Sequence, residues 1–349
     1  MPDQAVDATR FFRQVSDQIA LAERAANTVT TRWFDIAGCT LKIRFLGSTL
    51  TPVIAPALSH LEHAPASRDA DLTLHCWDCS SLGLAFPLAP VDKAAFTPRG
   101  EIRGLNDARH HAAFEPSGSQ LSLMDVTDGQ AIYCVGNAAQ IPRFNAAEPV
   151  RGLLSWFMRA HGRQLLHAGA VGTPQGGVLL IGRSGAGKSN TALGCLASGL
   201  RYASDDFCAV STTGSPTVYS LYSTGKTHKS DWSWHPFLQD LAPDPDHARN
   251  DKLIYYLHAA VPDKLIRAFP LKAILLPRRG RGACSVRPVA PAAALRASAP
   301  DTAHLLPDAG VEVLTGIAGL VRAVPCYELL LGSPPQDIPG LIATLLDSL

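Results

Sequence analysis

The chain has 349 residues, of which 46% are hydrophobic and 17% charged, and its 31 lysines and arginines nearly balance its 30 aspartates and glutamates. This composition is typical of a globular protein with a sizeable core, and it argues against a disordered or fibrous chain. Because the formal net charge is only +1, no general basic field exists, and we expect neither a nucleic-acid partner nor a membrane partner.

Residues 1–145 predict a small α+β module with antiparallel strand pairing, and its size suits recognition of a substrate. Helical spacing of apolar residues predicts a leading helix over residues 8–26. Alternating apolar and polar residues then predict two short strands around a turn at Gly38, and further strands within 70–78 and 111–135.

Residues 146–349 predict an α/β catalytic domain, because strand patterns now alternate with helical ones. An amphipathic helix over residues 148–162 is expected to join the two parts. The N-terminus lacks the apolar core of a signal peptide, no apolar run is long enough to span a bilayer, and the eight cysteines are scattered. We therefore expect a soluble, cytoplasmic protein.

A glycine-rich stretch in the second part matches the pattern G-x-x-x-x-G-K-[ST], which binds nucleotide phosphates. A strand pattern, GGVLLIG, enters it, and a helical pattern leaves it from about Lys188 to Ser198. The glycines let backbone N–H groups approach phosphate oxygens at the positive end of a helix, Lys188 neutralises phosphate charge, and the Ser189 hydroxyl can ligate Mg²⁺. The predicted nucleotide-binding residues are Gly182, Arg183, Ser184, Gly185, Ala186, Gly187, Lys188, Ser189 and Asn190.

Two adjacent aspartates, Asp205 and Asp206, follow this helix after one short strand pattern. The spacing predicts that both carboxylates lie beside the phosphate loop. In phosphate transfer one such carboxylate can ligate the metal ion, while another accepts the proton of the attacking hydroxyl. A solvated acidic turn is the alternative interpretation, and the position beside a phosphate loop disfavours it.

The stretch from His167 to Val210 resembles the catalytic core of bacterial HPr kinase/phosphorylase. A strand histidine, a glycine loop, a T-A-L helix and a pair of aspartates occur there in the same order and spacing. The resemblance implies a fold related to phosphoenolpyruvate carboxykinase, in which ATP donates its γ-phosphate to a protein serine. It also implies that Asp205 is the catalytic base and that Asp206 is the metal partner, together with Ser189.

The resemblance also assigns roles to Lys188 and His167, and this sequence departs from the family pattern in two places. It implies that Lys188 keeps its phosphate contact and that His167 lines the site, although a lone strand histidine is as often a core residue. Asn190 stands where the family has an acidic residue, and the family's arginine–glycine segment has no clear copy here. The chain therefore looks more like the HPr-kinase-related proteins that accompany peptide biosynthesis, including lasso-peptide serine kinases.

Four further basic residues are predicted phosphate or substrate contacts. Lys226 follows a strand pattern beside Gly225, Lys252 begins another strand pattern, and Arg278 and Arg279 end an apolar strand. A strand end of this kind can deliver an arginine to a transferring phosphate. A solvated position is the alternative interpretation for each of the four.

Together these patterns predict a kinase that uses ATP and Mg²⁺ and transfers phosphate to a hydroxyl, with a serine of a peptide or protein as the favoured acceptor. Two alternatives stay open: a small-molecule kinase on the same core, and a non-catalytic regulator that binds a nucleotide. The regulator predicts no phosphoacceptor, whereas a small metabolite would not need a recognition module of this size. The sequence is also compatible with a homo-oligomer.

Overall fold

A computed structural model describes residues 7–65, 69–87, 93–211, 213–244, 251–307 and 310–349. The chain divides into two compact units, one formed by Met1–His161 with Leu306–Asp308 and the other by Gly162–Leu305 with Ala309–Leu349. Within the described ranges, no helix combines the length and the apolar character needed to cross a bilayer.

The first unit begins with the predicted amphipathic helix. Asp7 caps this helix by accepting a hydrogen bond from the Thr9 N–H, and Val15 and Ala22 are buried on its inner face. The helices of this unit are α1 (Ala8–Ala25), α2 (Thr51–Leu58), α3 (Cys79–Leu82), α4 (Arg143–Ala147) and α5 (Arg151–Ala160). Its strands are β1 (Val29–Ile36), β2 (Cys39–Leu46), β3 (Glu62–His63), β4 (Leu72–Asp78), β5 (His110–Glu115), β6 (Gln120–Asp125) and β7 (Gln130–Val135).

These strands form one mixed sheet, in the order β3–β1–β2–β4–β7–β6–β5. β1 and β2 make the predicted hairpin, and both turn residues, Ala37 and Gly38, have positive φ, as a tight two-residue turn requires. The expectation of antiparallel pairing is wrong for β4, which pairs in parallel with β2 and β7. Parallel neighbours need a crossover connection, and α2 lies in the one between β2 and β4.

The predicted joining helix, α5, packs within the first unit. Trp156 stacks on His111 of β5 with 5.1 Å between the ring centroids, and Leu153 and Phe157 are fully buried. Because aromatic stacking and buried apolar area both hold α5 there, residues 146–161 belong with the first unit.

The second unit carries the predicted glycine loop and aspartate pair. Its strands are β8 (Arg163–His167), β9 (Gly169–Thr173), β10 (Gly176–Leu180), β11 (Arg201–Ser204), β12 (Phe207–Ser211), β13 (Thr217–Ser220), β14 (Thr224–His228), β15 (Lys252–Tyr256), β16 (Ala268–Arg279), β17 (Ser285–Pro288) and β18 (Cys326–Leu331). Its helices are α6 (Lys188–Gly194), α7 (Pro236–Gln239), α8 (Leu257–Ala260), α9 (Pro291–Leu305), α10 (Val311–Ala323) and α11 (Ile338–Asp347). α6 is shorter than predicted, because a 3₁₀ turn replaces the α-helix after Gly194.

The second unit is mixed α/β. Its main sheet runs β11–β9–β10–β16–β13–β12–β8, with β18 beside β16 and β17 beside β18. β16 is central: it pairs in parallel with β10 and β18, and in antiparallel fashion with β13. β14 and β15 form a separate antiparallel ribbon. Buried side chains from α6, α11 and this sheet share one core, which includes Val178, Leu180, Leu193, Leu329 and Ile342.

Candidate functional site

The loop between β10 and α6 depends on glycine for its shape. Gly185 and Gly187 have φ values of +81° and +107°, in the left-handed region that favours glycine. A Cβ on Gly187 would also collide with the Leu331 side chain, whereas one on Gly185 would meet nothing within 4 Å. The strand, loop and helix that the sequence predicts around this motif are therefore present, with the glycines in conformations that let backbone approach a ligand closely.

Lys188, the first residue of α6, is buried beneath this loop. Its Nζ donates a hydrogen bond to the Gly182 carbonyl oxygen at 2.6 Å and lies 3.4 Å from that of Arg183. The ammonium group is thus held against the loop backbone, at the start of the helix. An ammonium group has three N–H donors, so Lys188 can also donate hydrogen bonds to the anionic oxygens of a phosphate.

The aspartate pair occupies the turn between β11 and β12, and its two members have different surroundings. Asp205 is only 2% exposed, and its Oδ2 accepts a hydrogen bond of 2.8 Å from the Lys226 N–H of β14. Burial, together with the negative charge of Asp206, raises the pKa of Asp205 to about 7. The buried Asp205 carboxyl therefore ties the β14–β15 ribbon to the turn between β11 and β12.

Asp206 keeps 24% of its side chain exposed and is held by two basic residues. Its Oδ1 lies 2.6 Å from Nε2 of His167 at the end of β8, and its Oδ2 lies 2.9 Å from Nζ of Lys226. Burial alone would raise the pKa of Asp206, but the hydrogen bond and charge of His167 and the charges of Lys188 and Lys252 outweigh it and lower that pKa.

Lys226 is itself 3% exposed. Burial, with a smaller contribution from the charge of Lys252, lowers its pKa well below the ordinary lysine value. Ionisable groups whose pKa values are strongly shifted are concentrated at functional sites, so Lys226 is a candidate functional residue.

The glycine loop, Lys188, Asp206 and Lys226 line one cleft that is open to solvent. Its lining residues are His167, Ser184, Gly185, Gly187, Lys188, Ser189, Asn190, Asp206, Lys226, His228, Asp231, Lys252 and Arg279. The loop contributes backbone and small side chains, while β14, β15 and β16 contribute charged ones. The cleft therefore joins predicted phosphate-binding residues to ionisable groups from distant parts of the chain.

Several predicted site residues do not line this cleft. Asp205 is buried and does not line it, and neither do the loop residues Gly182, Arg183 and Ala186. Arg278 points away: its side chain is 67% exposed and pairs with Glu328 at 3.3 Å. Successive residues of a strand face opposite sides, so only one of two adjacent arginines can reach the cleft.

Two lining residues were missed by the sequence patterns. His228 lies two residues after Lys226 on β14, so the two side chains share a face, and it pairs across the ribbon with Lys252. Asp231 follows in a 3₁₀ segment. The spacing of two residues between Lys226 and His228 could have predicted from the sequence that His228 shares the face of Lys226. No sequence pattern predicts that Asp231 lines the cleft, because its position depends on the tertiary fold.

Groups that could hold a metal ion are sparse. Across the described parts of the chain, no three or more histidine, cysteine, aspartate or glutamate side chains cluster in a way that could bind one. The hydroxyl of Ser189 lies 3.5 Å from the Asp205 carbonyl oxygen, within the cleft lining. Mg²⁺ bound with nucleotide phosphates typically uses one or two protein ligands, so Ser189 with phosphate oxygens suits that ion.

The chain matches no protein-family model, and no curated protein matches it. Among solved structures it has a distant likeness to the HPr(Ser) kinase/phosphatase from Coxiella burnetii, with 10% sequence identity and a TM-score of 0.30. This likeness covers 53% of the present chain and 97% of that one. At such a level it carries no argument about function, which has to be inferred from the cleft.

Proposed function

We propose that this chain is an ATP-dependent phosphotransferase, which moves the γ-phosphate of ATP to the hydroxyl of a peptide or protein serine. The observation that carries the proposal is one cleft lined by the glycine loop, by Lys188 and by Asp206 with its two basic partners. Phosphate-binding donors and a carboxylate open to the acceptor are the elements that phosphoryl transfer needs.

The loop supplies the phosphate site. Backbone N–H groups around Gly185 and Gly187 can reach phosphate oxygens because no Cβ shields them. Lys188 would exchange the carbonyl oxygens of Gly182 and Arg183 for phosphate oxygens, which are stronger acceptors for an ammonium group. The same lysine then offsets the negative charge that develops during transfer.

We assign the proton acceptor to Asp206 and not to Asp205. The acceptor oxygen forms its bond to the γ-phosphorus as the bond from phosphorus to the β,γ-bridging oxygen breaks, the hydroxyl proton passes to the carboxylate, and ADP leaves. Asp206 has a lowered pKa and lines the cleft, so it is ionised and accessible. Asp205 is buried, and a pKa of about 7 leaves it partly protonated at neutral pH.

Two neighbours support Asp206 in this role. His167 and Lys226 each contact a different carboxylate oxygen, which fixes the plane of the carboxylate in the cleft. Lys252 and Arg279 add positive charge to the lining and would contact phosphate or substrate. Mg²⁺, held by Ser189 and phosphate oxygens, would neutralise phosphate charge when bound.

The experiment is to incubate the full chain with ATP–Mg²⁺ and a panel of serine-containing peptides, and to identify products by mass spectrometry. Each peptide has a matched control with alanine in place of serine, and ADP replaces ATP in a parallel reaction. We expect phosphate on serine, with one ADP formed per phosphate transferred.

Other outcomes would revise or overturn the proposal. Phosphorylation of small hydroxyl compounds alone would contradict the peptide acceptor but keep the phosphotransferase. Tight binding of ATP with no ADP formed, whatever the acceptor, would favour the nucleotide-binding regulator. Absence of ATP binding would overturn the proposal altogether.

A further inference from the structure

A short 3₁₀ segment, Lys229–Trp234, leads away from β14 at the edge of the cleft. In a 3₁₀ helix, side chains three residues apart lie on the same edge. Asp231 and Trp234 have this spacing, and both contact Arg279 at the end of β16. The Asp231 carboxylate accepts from a guanidinium nitrogen at 3.0 Å, and the guanidinium carbon lies 5.6 Å from the Trp234 ring centre.

Asp231 also contacts the phosphate-loop helix. Its Oδ2 accepts a second hydrogen bond, of 2.7 Å, from the amide nitrogen of Asn190, which directly follows Ser189. One carboxylate oxygen therefore joins the loop helix to the arginine of β16. Only 10% of the Asp231 side chain is exposed, so both bonds are shielded from solvent.

The amide of Asn190 is fixed from its other side. Its oxygen lies 3.2 Å from the Thr227 hydroxyl and 3.3 Å from Nε2 of His235. The amide oxygen only accepts hydrogen bonds, so it suits the Thr227 hydroxyl and the Nε2-protonated tautomer of His235 as donors, while the amide nitrogen points towards Asp231. A carboxylate at position 190 could not donate, and its charge would repel Asp231.

Arg279 is consequently oriented by an anion and an aromatic ring. Its side chain is 50% exposed and lines the cleft with Lys188 and Ser189. A guanidinium has five donors in a planar fork, so a bond to Asp231 leaves donor capacity for a phosphate, and stacking on tryptophan restricts its plane. An arginine held in this way approaches a transferring phosphate without first losing conformational freedom.

We propose that Asp231 is a positioning residue, which together with Trp234 holds Arg279 over the phosphate loop so that the guanidinium meets the terminal phosphate of a bound nucleoside triphosphate. This inference rests on the proposed phosphotransferase function, and it adds Arg279 to the residues that would contact phosphate opposite the glycine loop. Asn190 belongs to the same arrangement, because it orients Asp231 from the loop side.

The test is a double-mutant cycle on the full chain, with Asp231→Asn, Arg279→Gln and the double variant. The measurements are the affinity for ATP–Mg²⁺ and the rate of ADP formation at saturating ATP. We expect Arg279→Gln to lower the rate by roughly 10³-fold, as loss of a transition-state arginine does. Asp231→Asn should lower it by up to about 10²-fold, because a misplaced group loses that much.

The decisive result is the double variant. If Asp231 acts through Arg279, the double variant is no slower than Arg279→Gln alone, within about twofold. If the two losses multiply, Asp231 has an independent role and the inference is wrong. Asp240→Asn is the matched control, because Asp240 is an exposed aspartate nearby that does not line the cleft, and it should leave the rate unchanged.

A second readout does not depend on turnover. Because Trp234 contacts the guanidinium that engages phosphate, adding ATP–Mg²⁺ should change tryptophan emission in the unaltered chain, and Trp234→Phe should abolish that change. Emission that responds equally in Trp234→Phe would contradict the arrangement. Unchanged ATP affinity and thermal stability in Asp231→Asn exclude misfolding as the cause of a slow rate.

These experiments distinguish failure of the role of Asp231 from failure of the proposed phosphotransferase function. An unaltered chain that forms ADP normally, with Asp231→Asn equally fast, overturns the inference and leaves the phosphotransferase intact. An unaltered chain that neither binds nor cleaves ATP overturns both.

Discussion

The cleft has two walls that differ in chemistry, since one presents mainly backbone and the other presents charged side chains. The loop wall, residues 182–189, is one continuous stretch that presents backbone and a single lysine, with glycines in conformations that other residues adopt at a penalty. The charged wall consists of Asp206, Lys226, Asp231 and Arg279, which come from separate segments and are paired with each other or with neighbours.

In the proposed phosphotransferase, we expect this difference to separate binding from reaction. Backbone donors have fixed positions and meet phosphate in the same way before and during transfer, so the loop wall should set the affinity for ATP. Paired side chains can exchange one partner for another as charge moves, so the charged wall should set the rate. Changes in the loop wall should then act mainly on binding, and changes in the charged wall mainly on turnover.

Within the loop wall, the largest expected effect is at Lys188, the charged residue of this wall that lines the cleft. Lys188→Met should lower kcat/KM for ATP by about 10³-fold, because both bound phosphate and the developing charge lose their cation. Steady-state ADP formation measures the loss, and Lys272→Met, a change of an exposed lysine on β16, is the control. A kcat/KM of Lys188→Met within twofold of that of the unaltered chain would be no larger than a weak surface effect, and it would refute the phosphate site.

A smaller effect distinguishes two glycines of the loop wall. Gly187→Ala should weaken ATP binding by about tenfold, because a Cβ there is strained at φ +107° and collides with Leu331. Gly185→Ala meets nothing within 4 Å and should weaken binding less. Calorimetric titration measures both affinities. Since both glycines have positive φ, equal losses would show that the collision with Leu331 contributes nothing to affinity beyond the backbone strain that the two positions share.

The smallest expected effect concerns stability as a function of pH. Burial and the charge of Asp206 raise the pKa of Asp205 to about 7, above roughly 4 in an unfolded chain. The unfolded chain therefore releases this proton first, so the stabilisation is complete below about pH 4 and is lost as pH rises through about 7. Asp205→Asn removes this dependence.

Thermal unfolding of both chains across this range tests that expectation. The stability of Asp205→Asn relative to the unaltered chain should increase from acid to neutral pH. Parallel curves would contradict the raised pKa of the buried carboxyl.

The loop wall could be predicted from the sequence because its residues are contiguous. The flanking strand, the glycine spacing and the helix at Lys188 all appear in order, and β10 and the start of α6 are where the pattern predicts them. The leading helix and the hairpin at Gly38 are predicted for the same reason, since spacing and turn chemistry act over a few residues.

The charged wall could be predicted only in part. Asp206, Lys226 and Arg279 are candidates in the sequence, but no local signal separates Arg279 from Arg278 until the direction in which each side chain of β16 points is known. Asp231 carries no motif, because its partners are distant in sequence. The parallel pairing of β4 escaped prediction likewise, since strand order is decided by long-range packing.

The different burial of Asp205 and Asp206 gives the most direct test of the central claim, that the carboxylate open to the cleft drives transfer. The measurement is ADP formation and ATP affinity for Asp206→Asn and Asp205→Asn, side by side, with Mg²⁺ varied. We predict that Asp206→Asn lowers turnover by about 10²–10⁴-fold with nearly unchanged ATP affinity and no rescue by excess Mg²⁺, while Asp205→Asn loses far less. Normal turnover in Asp206→Asn, together with a large loss in Asp205→Asn, would contradict this claim. It would favour the roles that the family resemblance implies, with Asp205 as the catalytic base and Asp206 as the metal partner.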